Sequence, residues 1–499
     1  MPPACLLAID QGTTSTRAVV YDSAGQPLGS AGREFPQHYP QPGWVEHDVE
    51  DIWRTVATVV PEALAAAKVT AKNLAAIGLT NQRETSLLWD RATGQPTGRA
   101  LVWQDRRTTD FCRQRQGDEA WLRERTGLML DPYFSATKVR WLLDQQPHLR
   151  GLADTGKLAF GTIDSFLIWR LTGGRVHATD VTNASRTLLL NLKTAAWDDE
   201  LCRYFEIPRT LLPEVRPSAA DYGLTQGLSF LPDGLPIRGV AGDQQAALFG
   251  QCCFQPGEAK CTYGTGAFFL LHIGDKPQLS RHKLVTTIAA TTDAQPQYAL
   301  EGSVFVAGAA VQWLRDGLKL FASAEESEAL AEHSDLHQPI LFVPGFVGLG
   351  APHWVPEARG AILGLTRSTT AADLTRAALE GVAYQVVDLV NAANADAAQP
   401  LRALRVDGGM ARNAWFLQAQ ADVLGIPVLQ AAQSESTALG AALLAGLQVG
   451  LWKDQQTLRG LAREAGRFEP KLPAAERDAR VQCWRRAVQA VIGFYTSND

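Results

Sequence analysis

Two apolar runs joined by a polar turn open the chain. Residues 6–9 are all apolar, Asp10 begins a polar segment with a glycine and several hydroxyl side chains, and residues 18–20 are apolar again. Apolar runs separated by a short turn that contains glycine predict a β-hairpin. The donors of this turn suit phosphate oxygens, and a carboxylate at a strand end suits hydrated Mg²⁺. An ordinary solvated hairpin turn is the alternative interpretation.

The first half of the chain continues with segments whose patterns alternate between helix and strand. Residues 33–47 contain prolines and a glycine and predict a loop. Asp48 is placed to cap an amphipathic helix, because apolar side chains follow at positions 52, 56, 59 and 60 and acidic residues occupy the first turn. Residues 75–80 predict a strand. Strand, helix and strand in this order predict an α/β fold.

Charged side chains directly follow two of the predicted strands. Arg83 and Glu84 come after the strand just described, and Asp243 follows an apolar strand over residues 237–241, ahead of a helix at residues 246–249. In α/β sheets, ligands bind at the carboxyl ends of the strands. Arg83 supplies up to five donors and Glu84 is an acceptor, so the pair is suited to binding adjacent hydroxyls. A salt bridge at the protein surface is the alternative.

The second half of the chain opens as the first half does. Residues 258–262 predict a strand, Thr265 lies between two glycines in the following turn, and residues 269–273 predict the return strand. This echo of the first hairpin indicates an internal duplication, with a period too long for a solenoid. We therefore predict two similar domains, residues 1–250 and 251–499, that face each other and offer hairpin turns to one phosphate chain.

Glycines in the second half point to a nucleotide. Residues 373–390 form a strongly amphipathic helical pattern, and residues 401–406 predict a strand that leads to Gly408 and Gly409. Paired glycines would let the backbone lie against a flat group such as an adenine or a ribose. A tight turn without a ligand is the alternative interpretation.

The composition limits the classes of protein that fit. Of 499 residues, 46% are hydrophobic and 20% charged, and the net charge of −5 disfavours nucleic acid or an anionic membrane as the main partner. No apolar run approaches the ~18 residues of a membrane span, and the start of the sequence does not resemble a signal peptide. Seven cysteines without zinc-site spacing indicate reduced thiols in a cytoplasmic protein. The P-loop motif is absent.

Nine motifs, in order and spread over both halves, carry a resemblance to a known family. They are DQGTTSTR at 10–17, PGWVEHD at 42–48, GLTNQRE at 78–84, DPYFSATKV at 131–139, TNASRT at 182–187, AGDQQAALFGQ at 241–251, YGTGAF at 263–268, LEGSVFVAGAAVQWLRD at 300–316 and RVDGGMARN at 405–413. Each motif is short, but together they cover nearly the whole chain. By these motifs the chain resembles the FGGY carbohydrate kinases, and within that family the members that act on glycerol.

The resemblance implies an α/β fold of two actin-like (ribonuclease H-like) ATPase domains flanking a central cleft, in which MgATP phosphorylates glycerol. Asp243 would be the general base, and glycerol would be bound by Arg83, Glu84, Trp103, Tyr133, Asp243, Gln244 and Phe268. The phosphates and the nucleotide would be bound by Thr13, Thr14, Ser15, Arg17, Thr265, Gly308, Gln312, Gly409 and Asn413. Asp10 and Asp243 would hold Mg²⁺ largely through water. A homo-oligomer, either a dimer or a tetramer, is also expected.

Two alternative functions remain open from the sequence. A kinase of the same family for another polyol, or for a ketose such as xylulose, would share the fold and the nucleotide site. An actin-like ATP-driven switch that is not a kinase would share the paired hairpins, but it would leave Arg83, Glu84 and Trp103 without a role. Trp103 itself is interpreted either as a core aromatic or as a wall for a carbon chain.

Overall fold

The fold is built around two separate β-sheets, and the computed structural model describes residues 5–335, 338–433 and 435–496 of it. The strands are β1 (Cys5–Gln11), β2 (Ser15–Tyr21), β3 (Pro27–Glu34), β4 (Glu46–His47), β5 (Leu74–Asn81), β6 (Leu87–Asp90), β7 (Ala100–Leu101), β8 (Leu158–Gly161), β9 (Ala178–Asp180), β10 (Leu190–Asn191), β11 (Ala196–Trp197), β12 (Glu214–Arg216), β13 (Ile237–Gly242), β14 (Ala259–Tyr263), β15 (Ala267–Gly274), β16 (Val285–Ala289), β17 (Gln297–Val304), β18 (Leu341–Val343), β19 (Ala361–Leu363), β20 (Leu404–Gly408), β21 (Val428–Ala431) and β22 (Glu464–Phe468). The α-helices are α1 (Val49–Ala66), α2 (Thr109–Gln114), α3 (Glu119–Thr126), α4 (Ser135–Gln145), α5 (Pro147–Asp154), α6 (Ile163–Leu171), α7 (Val181–Ala184), α8 (Asp199–Tyr204), α9 (Asp243–Gly250), α10 (Gly308–Asp316), α11 (Glu326–Glu332), α12 (Ala371–Asp396), α13 (Ala414–Leu424), α14 (Ser436–Gln448), α15 (Gln455–Arg459) and α16 (Ala474–Thr496).

The two main sheets share one strand order. The first sheet is ordered β13-β5-β1-β2-β3, and the second contains β21-β20-β14-β15-β17, with β22 and β16 added at its two edges. In each sheet the hairpin and the strand beyond it are antiparallel, whereas the other two strands run parallel to the first strand of the hairpin. The duplication expected from the sequence is therefore present in the topology.

The predicted opening hairpin and the helix after it are confirmed. β1 and β2 pair antiparallel with Asp10 opposite Arg17, so both charges stand near the turn. Asp48 caps α1 by accepting a hydrogen bond from the Glu50 backbone N–H, which satisfies one of the free donors of the first helical turn. The apolar face of α1 is buried, as its spacing predicts.

The loop predicted over residues 33–47 is wrong at both of its ends. β3 extends to Glu34 and pairs with β2, while β4 pairs with β7. β3 is mostly exposed and contains two glycines and a serine, so it has no apolar pattern to indicate a strand. Its pairing with β2 provides the hydrogen bonds that the local sequence does not show.

Three other predicted elements form with different bounds. α9 begins at Asp243 itself rather than at residue 246, and the Asp243 carboxylate accepts from the Gln244 N–H at 2.7 Å. An acidic side chain in the first helical turn is favoured by the helix dipole. The strand predicted over residues 401–406 is β20, which includes Gly408. α12 is confirmed and is longer than predicted, with Thr370 and Asp373 forming a capping box at its start.

A helix from the second half of the sequence packs on the first sheet. α14 lies against β1, β5 and β13 and crosses α9. A Cβ atom on Gly440 would lie 1.8 Å from the Ala246 carbonyl oxygen, so the two helices approach too closely for any larger residue there. α9 and α14 follow the equivalent strands β13 and β21, so the two halves meet through equivalent helices. Among the residues described above, no helix is both long and apolar enough to cross a membrane.

Candidate active site between the two sheets

The carboxyl ends of β1, β5 and β13 bring three of the predicted site residues together. Arg83 follows β5, Asp243 follows β13 and Asp10 lies near the end of β1. The Arg83 Nε lies 3.1 Å from an Asp243 carboxylate oxygen. Burial, and then the charges of Asp243 and Glu435, raise the pKa of Asp10 to about 7. The site therefore contains two carboxylates close enough to repel each other, beside one guanidinium.

Arg83 and Glu84 belong to a buried cluster of four charges. Arg83 donates through Nη1 and Nη2 to the two carboxylate oxygens of Glu301, at 2.6 and 2.9 Å. Arg186 donates through Nε to Glu84 at 2.6 Å and through Nη2 to Glu301 at 3.1 Å. All four side chains are at most 2% exposed. We term these four side chains the ion cluster. Removing one partner from such a buried arrangement is costly, because it leaves the opposite charge unpaired.

Sequence reasoning did not identify Arg186 or Glu301 as site residues. Both lie inside motifs that carry the family resemblance, TNASRT and LEGSVF, but neither was assigned a role. The available signal was the position of Glu301, a carboxylate in a strand of largely buried residues. A buried carboxylate needs a partner of opposite charge, but the sequence does not show which residue provides it.

The two glutamines after Asp243 have different partners. Gln245 accepts from the Arg83 Nη1 at 3.1 Å, so it extends the ion cluster. Gln244, which the resemblance assigns to glycerol, accepts a hydrogen bond from Lys260 of β14. Lys260 is completely buried, and this burial lowers its pKa. The Gln244 side chain therefore connects the first half of the molecule with the second sheet.

The predicted aromatic walls lie on both sides of the site. The rings of Trp103 and Tyr133 meet edge to face with centroids 5.5 Å apart, and the Trp103 Nε1 donates to the Thr13 Oγ1 at 3.0 Å. Phe268 of β15 lies opposite Ser303 of β17, two residues from Glu301. Because side chains two residues apart on a strand point to the same face, Phe268 and Glu301 share one face of the second sheet. The three rings are only partly buried, which favours a wall over a core role for Trp103.

The first hairpin turn carries the predicted phosphate donors. Thr13 and Ser15 are half-buried in this turn, and Thr14 is exposed. Arg17 forms an ion pair with Glu435, which precedes α14 in the second half of the chain, and both side chains are partly exposed. The turn can thus offer hydroxyl and backbone N–H groups to an anion, while Arg17 already has a carboxylate partner.

Three polar side chains hold the backbone of this turn in place, and two of them, Gln82 and His47, are buried. Gln82 donates to the Gly12 carbonyl oxygen, and Gln37 donates to the Thr13 carbonyl oxygen, both at 3.1 Å. His47 bonds both glutamines, at 3.3 Å to Gln82 and 2.7 Å to Gln37. Burial lowers the pKa of His47 to about 4, so the ring stays neutral near pH 7. Sequence reasoning did not assign a role to any of these three side chains.

The second hairpin turn holds the start of α10 and is open to solvent. The Gly308 N–H donates to the Gly264 carbonyl oxygen at 3.0 Å, which fixes the helix N-terminus against the turn. Thr265, Gln312 and Gly409 are all exposed. Exposed residues near a helix N-terminus suit the phosphates of a nucleotide.

Gly408 and Gly409 have different structural roles. Gly408 has φ of +91°, and a Cβ there would lie 2.3 Å from the Tyr263 carbonyl oxygen, so this position requires glycine. A Cβ on Gly409 would meet nothing within 4 Å. Asn413 caps α13, because its side chain accepts from the Phe416 N–H at 2.8 Å. Gly409 therefore has open space beside it.

The carboxylates of Asp10 and Asp243 fit the requirements of Mg²⁺. Both offer hard oxygen ligands, and a divalent cation would offset the burial and the repulsion that raise the pKa of Asp10. Within residues 5–335, 338–433 and 435–496, no group of three metal-binding side chains lies together. Water and phosphate oxygens would therefore complete the coordination, as Mg²⁺ commonly prefers.

A cavity of about 360 Å³ lies outside this site. It is lined by residues that include Phe249, Cys253, His272, Thr291 and Gln297, and by none of the residues predicted to bind substrate or nucleotide. Its walls contain no arginine or lysine that could hold a phosphate. The cleft between the two sheets is therefore the better candidate for the active site.

One family matches the chain over both halves. The family model described as "FGGY family of carbohydrate kinases, N-terminal domain" matches residues 5–250, and the C-terminal domain model of that family matches residues 259–449. A curated "Glycerol kinase" of Methylobacterium nodulans is 54% identical over 493 residues, which cover 98% of each chain. A second, from Deinococcus radiodurans, is 53% identical over 484 residues, which cover 97% of this chain and 96% of that one.

Solved structures agree with the two-domain fold. Plasmodium falciparum glycerol kinase with ADP superposes with a TM-score of 0.92 at 36% identity, covering 98% of each chain. Gluconate kinase from Lactobacillus acidophilus superposes with a TM-score of 0.89 at 22% identity, covering 99% of each chain, which supports the fold alone. The expected pair of actin-like domains is thereby confirmed, and the chain belongs to the FGGY family of carbohydrate kinases.

Proposed function

We propose that this chain transfers the γ-phosphoryl group of MgATP to a terminal hydroxyl of glycerol and forms sn-glycerol 3-phosphate. The observation that carries the proposal is the position of Asp243, whose carboxylate lies 3.1 Å from the Arg83 Nε at the carboxyl ends of the parallel strands. The two curated relatives named "Glycerol kinase", at 53% and 54% identity over nearly the full chain, support glycerol over a pentulose.

The acceptor would be bound mainly by side chains of the first half. Arg83 and Glu84 would bind hydroxyls, with support from Tyr133 and Gln244, while Trp103 and Phe268 would flank the carbon chain. The ion cluster supports this assignment, because it fixes Arg83 and Glu84 before any substrate arrives. Preorganised groups lose less conformational entropy on binding. This benefits a small neutral acceptor, which offers few atoms for contact.

Asp243 would accept the proton of the attacking hydroxyl. General-base assistance of this kind contributes roughly 10²- to 10⁴-fold to the rate. Thr13, Thr14 and Ser15 would donate to the transferring phosphoryl group from the first hairpin turn. Phosphoryl transfer depends chiefly on positioning and on neutralising charge. The turn is suited to both because Gln82 and Gln37 hold its backbone.

The nucleotide would lie along the second half of the cleft. The residues proposed to contact it, in addition to those of the first turn and Arg17, are Thr265, Gly308, Gln312, Gly409 and Asn413. Asp10 and Asp243 would hold Mg²⁺ largely through water. When bound, the ion would neutralise charge on the phosphate oxygens. We also propose the division into residues 1–250 for acceptor and phosphate and 251–499 for nucleotide.

The test is ADP release from MgATP in the presence of glycerol, dihydroxyacetone, xylulose, ribulose, gluconate or no acceptor. Strong stimulation by glycerol and weak stimulation by the sugars is the expected result. Stimulation by a pentulose instead would leave the fold and the nucleotide site intact but would overturn the glycerol assignment. The absence of stimulation by any acceptor would overturn the kinase function.

A cytoplasmic homo-oligomer completes the proposal. No disulfide joins the cysteines in the part of the chain that the structure describes, which is compatible with a reducing compartment. The dimer or tetramer stays a prediction from the family resemblance. Light scattering of the purified protein at several concentrations would determine the number of subunits.

A further inference from the structure

The ion cluster joins the two halves of the molecule through one residue of the second sheet. Arg83, Glu84 and Arg186 belong to the first half, whereas Glu301 lies on β17. One Glu301 oxygen accepts from the Arg83 Nη1 at 2.6 Å. The other accepts from the Arg83 Nη2 at 2.9 Å and from the Arg186 Nη2 at 3.1 Å. The orientation of Arg83 therefore depends on a residue from across the cleft.

The contact between Arg83 and Glu301 fixes the plane of the Arg83 guanidinium as well as its position. Two parallel N–H···O bonds between a guanidinium and a carboxylate hold both groups in one relative orientation. The remaining Arg83 Nε is 3.1 Å from an Asp243 oxygen. Arg83 is thus shared between Glu301, which is buried, and Asp243, whose side chain is 28% exposed at the site.

The charges of the ion cluster balance only when Glu301 is present. Two arginines and two glutamates make the cluster neutral. Burial raises the pKa of Glu301, but Arg186 and Arg83 outweigh this effect and lower it to about 2, so the group stays ionised. Without this carboxylate, the Arg83 guanidinium would keep two nearby acceptors, Gln245 at 3.1 Å from Nη1 and Asp243 at 3.1 Å from Nε, and only Asp243 carries a negative charge.

One donor of the ion cluster has no hydrogen-bond partner within the described part of the chain. It is the Arg186 Nη1, which belongs to a completely buried side chain. The Arg186 guanidinium carbon lies 5.5 Å from the centroid of the Tyr133 ring, one of the residues assigned to the acceptor. A buried donor without a partner is costly, so a hydroxyl of the bound substrate or a bridging water would stabilise the cluster by accepting from it.

We propose that Glu301 is a positioning residue for the substrate that accepts the phosphoryl group. It holds Arg83 in the orientation in which the guanidinium can donate to hydroxyls of that substrate, and it prevents the Nη groups from rotating towards Asp243. This inference rests on the proposed function, because it takes Arg83 as an acceptor-binding residue. The inference adds a residue of the second sheet to those that recognise the acceptor. It also makes the affinity for the acceptor depend on the relative position of the two halves.

The test compares Glu301→Gln with Glu301→Asp and with the control Glu380→Gln. Glu380 is also a buried glutamate of the second half, paired with Arg376 on α12, but it lies outside the ion cluster. The KM for the acceptor and the KM for ATP are measured for each variant. The acceptor used is the one that most stimulates ADP release by the unaltered protein, so a wrong glycerol assignment would appear before any variant is tested.

Glu301→Gln is expected to raise the KM for the acceptor roughly 10- to 100-fold, the loss expected for a charge-assisted hydrogen bond. The KM for ATP should change less than about 3-fold. Glu301→Asp keeps the charge but is too short to hold both Nη groups, so it should fall between Glu301→Gln and the unaltered protein. Glu380→Gln should leave both KM values unchanged.

A structural role for Glu301 would give a different result. Equal increases in both KM values, or a lower melting temperature with an unchanged acceptor KM, would overturn the inference while leaving the proposed function intact. If Glu301→Gln does not fold, Glu301→Asp decides the same question through its two KM values. A selective rise of several-fold for the acceptor supports the inference, and an unchanged or unselective KM overturns it.

Discussion

The two sides of the cleft are constructed in opposite ways. On the acceptor side, Arg83 and Glu84 are almost inaccessible and each is already bonded to a partner of opposite charge. On the nucleotide side, Thr265 in the hairpin turn, Gln312 on α10 and Gly409 after β20 are all exposed. A small neutral acceptor requires donors and acceptors held in advance, whereas a large charged nucleotide can distribute its contacts over backbone groups. Side-chain changes should therefore be more harmful on the acceptor side.

The largest effect is expected for Asp243→Asn. This change removes the proton acceptor while keeping the shape of the side chain, so kcat should fall roughly 10²- to 10⁴-fold. Steady-state ADP release with saturating glycerol measures it, and circular dichroism verifies folding. Asp221→Asn, at an exposed aspartate of the first half, is the matched control. A kcat within a few-fold of the unaltered protein would remove Asp243 from the mechanism.

Arg83→Ala should distinguish the acceptor side from the nucleotide side most clearly, through its different effects on the binding of the two substrates. Loss of the guanidinium should weaken glycerol binding roughly 10- to 100-fold more than ATP binding, since Arg83 is not among the residues proposed to contact ATP. The change also leaves Glu301 and Asp243 without a shared cation, which costs about 3–5 kcal/mol of stability. Arg376→Ala removes another buried arginine and controls for this destabilisation. Equal losses for the two substrates would contradict the comparison.

Substitutions at Gly408 and Gly409 test whether the nucleotide side of the cleft has open space beside its backbone. Gly408→Ala should destabilise the protein by at least about 2 kcal/mol, because the residue has positive φ and its Cβ would meet the Tyr263 backbone. Gly409→Ala should change stability by less than about 0.5 kcal/mol and should raise the KM for ATP only a few-fold. Urea unfolding and ATP titrations measure the two effects. A large stability loss at Gly409 would contradict the open surface described there.

Acid should weaken both halves through their buried histidines. Burial lowers the pKa of His47, behind the phosphate turn, and of His272, in the second sheet, to about 4 in each case. An unfolded histidine titrates near 6.5, so this stabilisation is complete above pH 6.5 and is lost as the pH falls towards 4. At pH 5 each ring should reduce the free energy of unfolding by roughly 2 kcal/mol.

Urea unfolding midpoints at pH 7 and pH 5 measure this loss. His47→Gln should reduce the difference between the two pH values, because the variant no longer carries an imidazole that must be neutral when folded. His148→Gln changes an exposed ring and should leave the difference as it is. An undiminished difference in His47→Gln would show that the protonation of other groups causes the acid sensitivity.

The sequence predicts the parts of this fold that local patterns determine. The two hairpins, α1 and α12 follow from apolar periodicity, glycine-containing turns and capping residues. β3 was missed because its pattern is mostly polar and its stability comes from pairing with β2. The ion cluster was predicted only in part, since Arg186 and Glu301 are separated by 115 residues and only the folded sheets bring them into contact.

The two family models meet between residues 250 and 259, but the crossing of α9 and α14 packs side chains from both sides of this junction together. Trp452 and the apolar side chains of α14 pack against Leu6, Ala8 and Ala241 of the first sheet. A fragment ending at residue 250 would expose that apolar sheet face to solvent and would be prone to aggregate. The complementary fragment would expose the apolar side chains of α14. The two fragments should therefore recover their fold, and any activity, only when they are produced together.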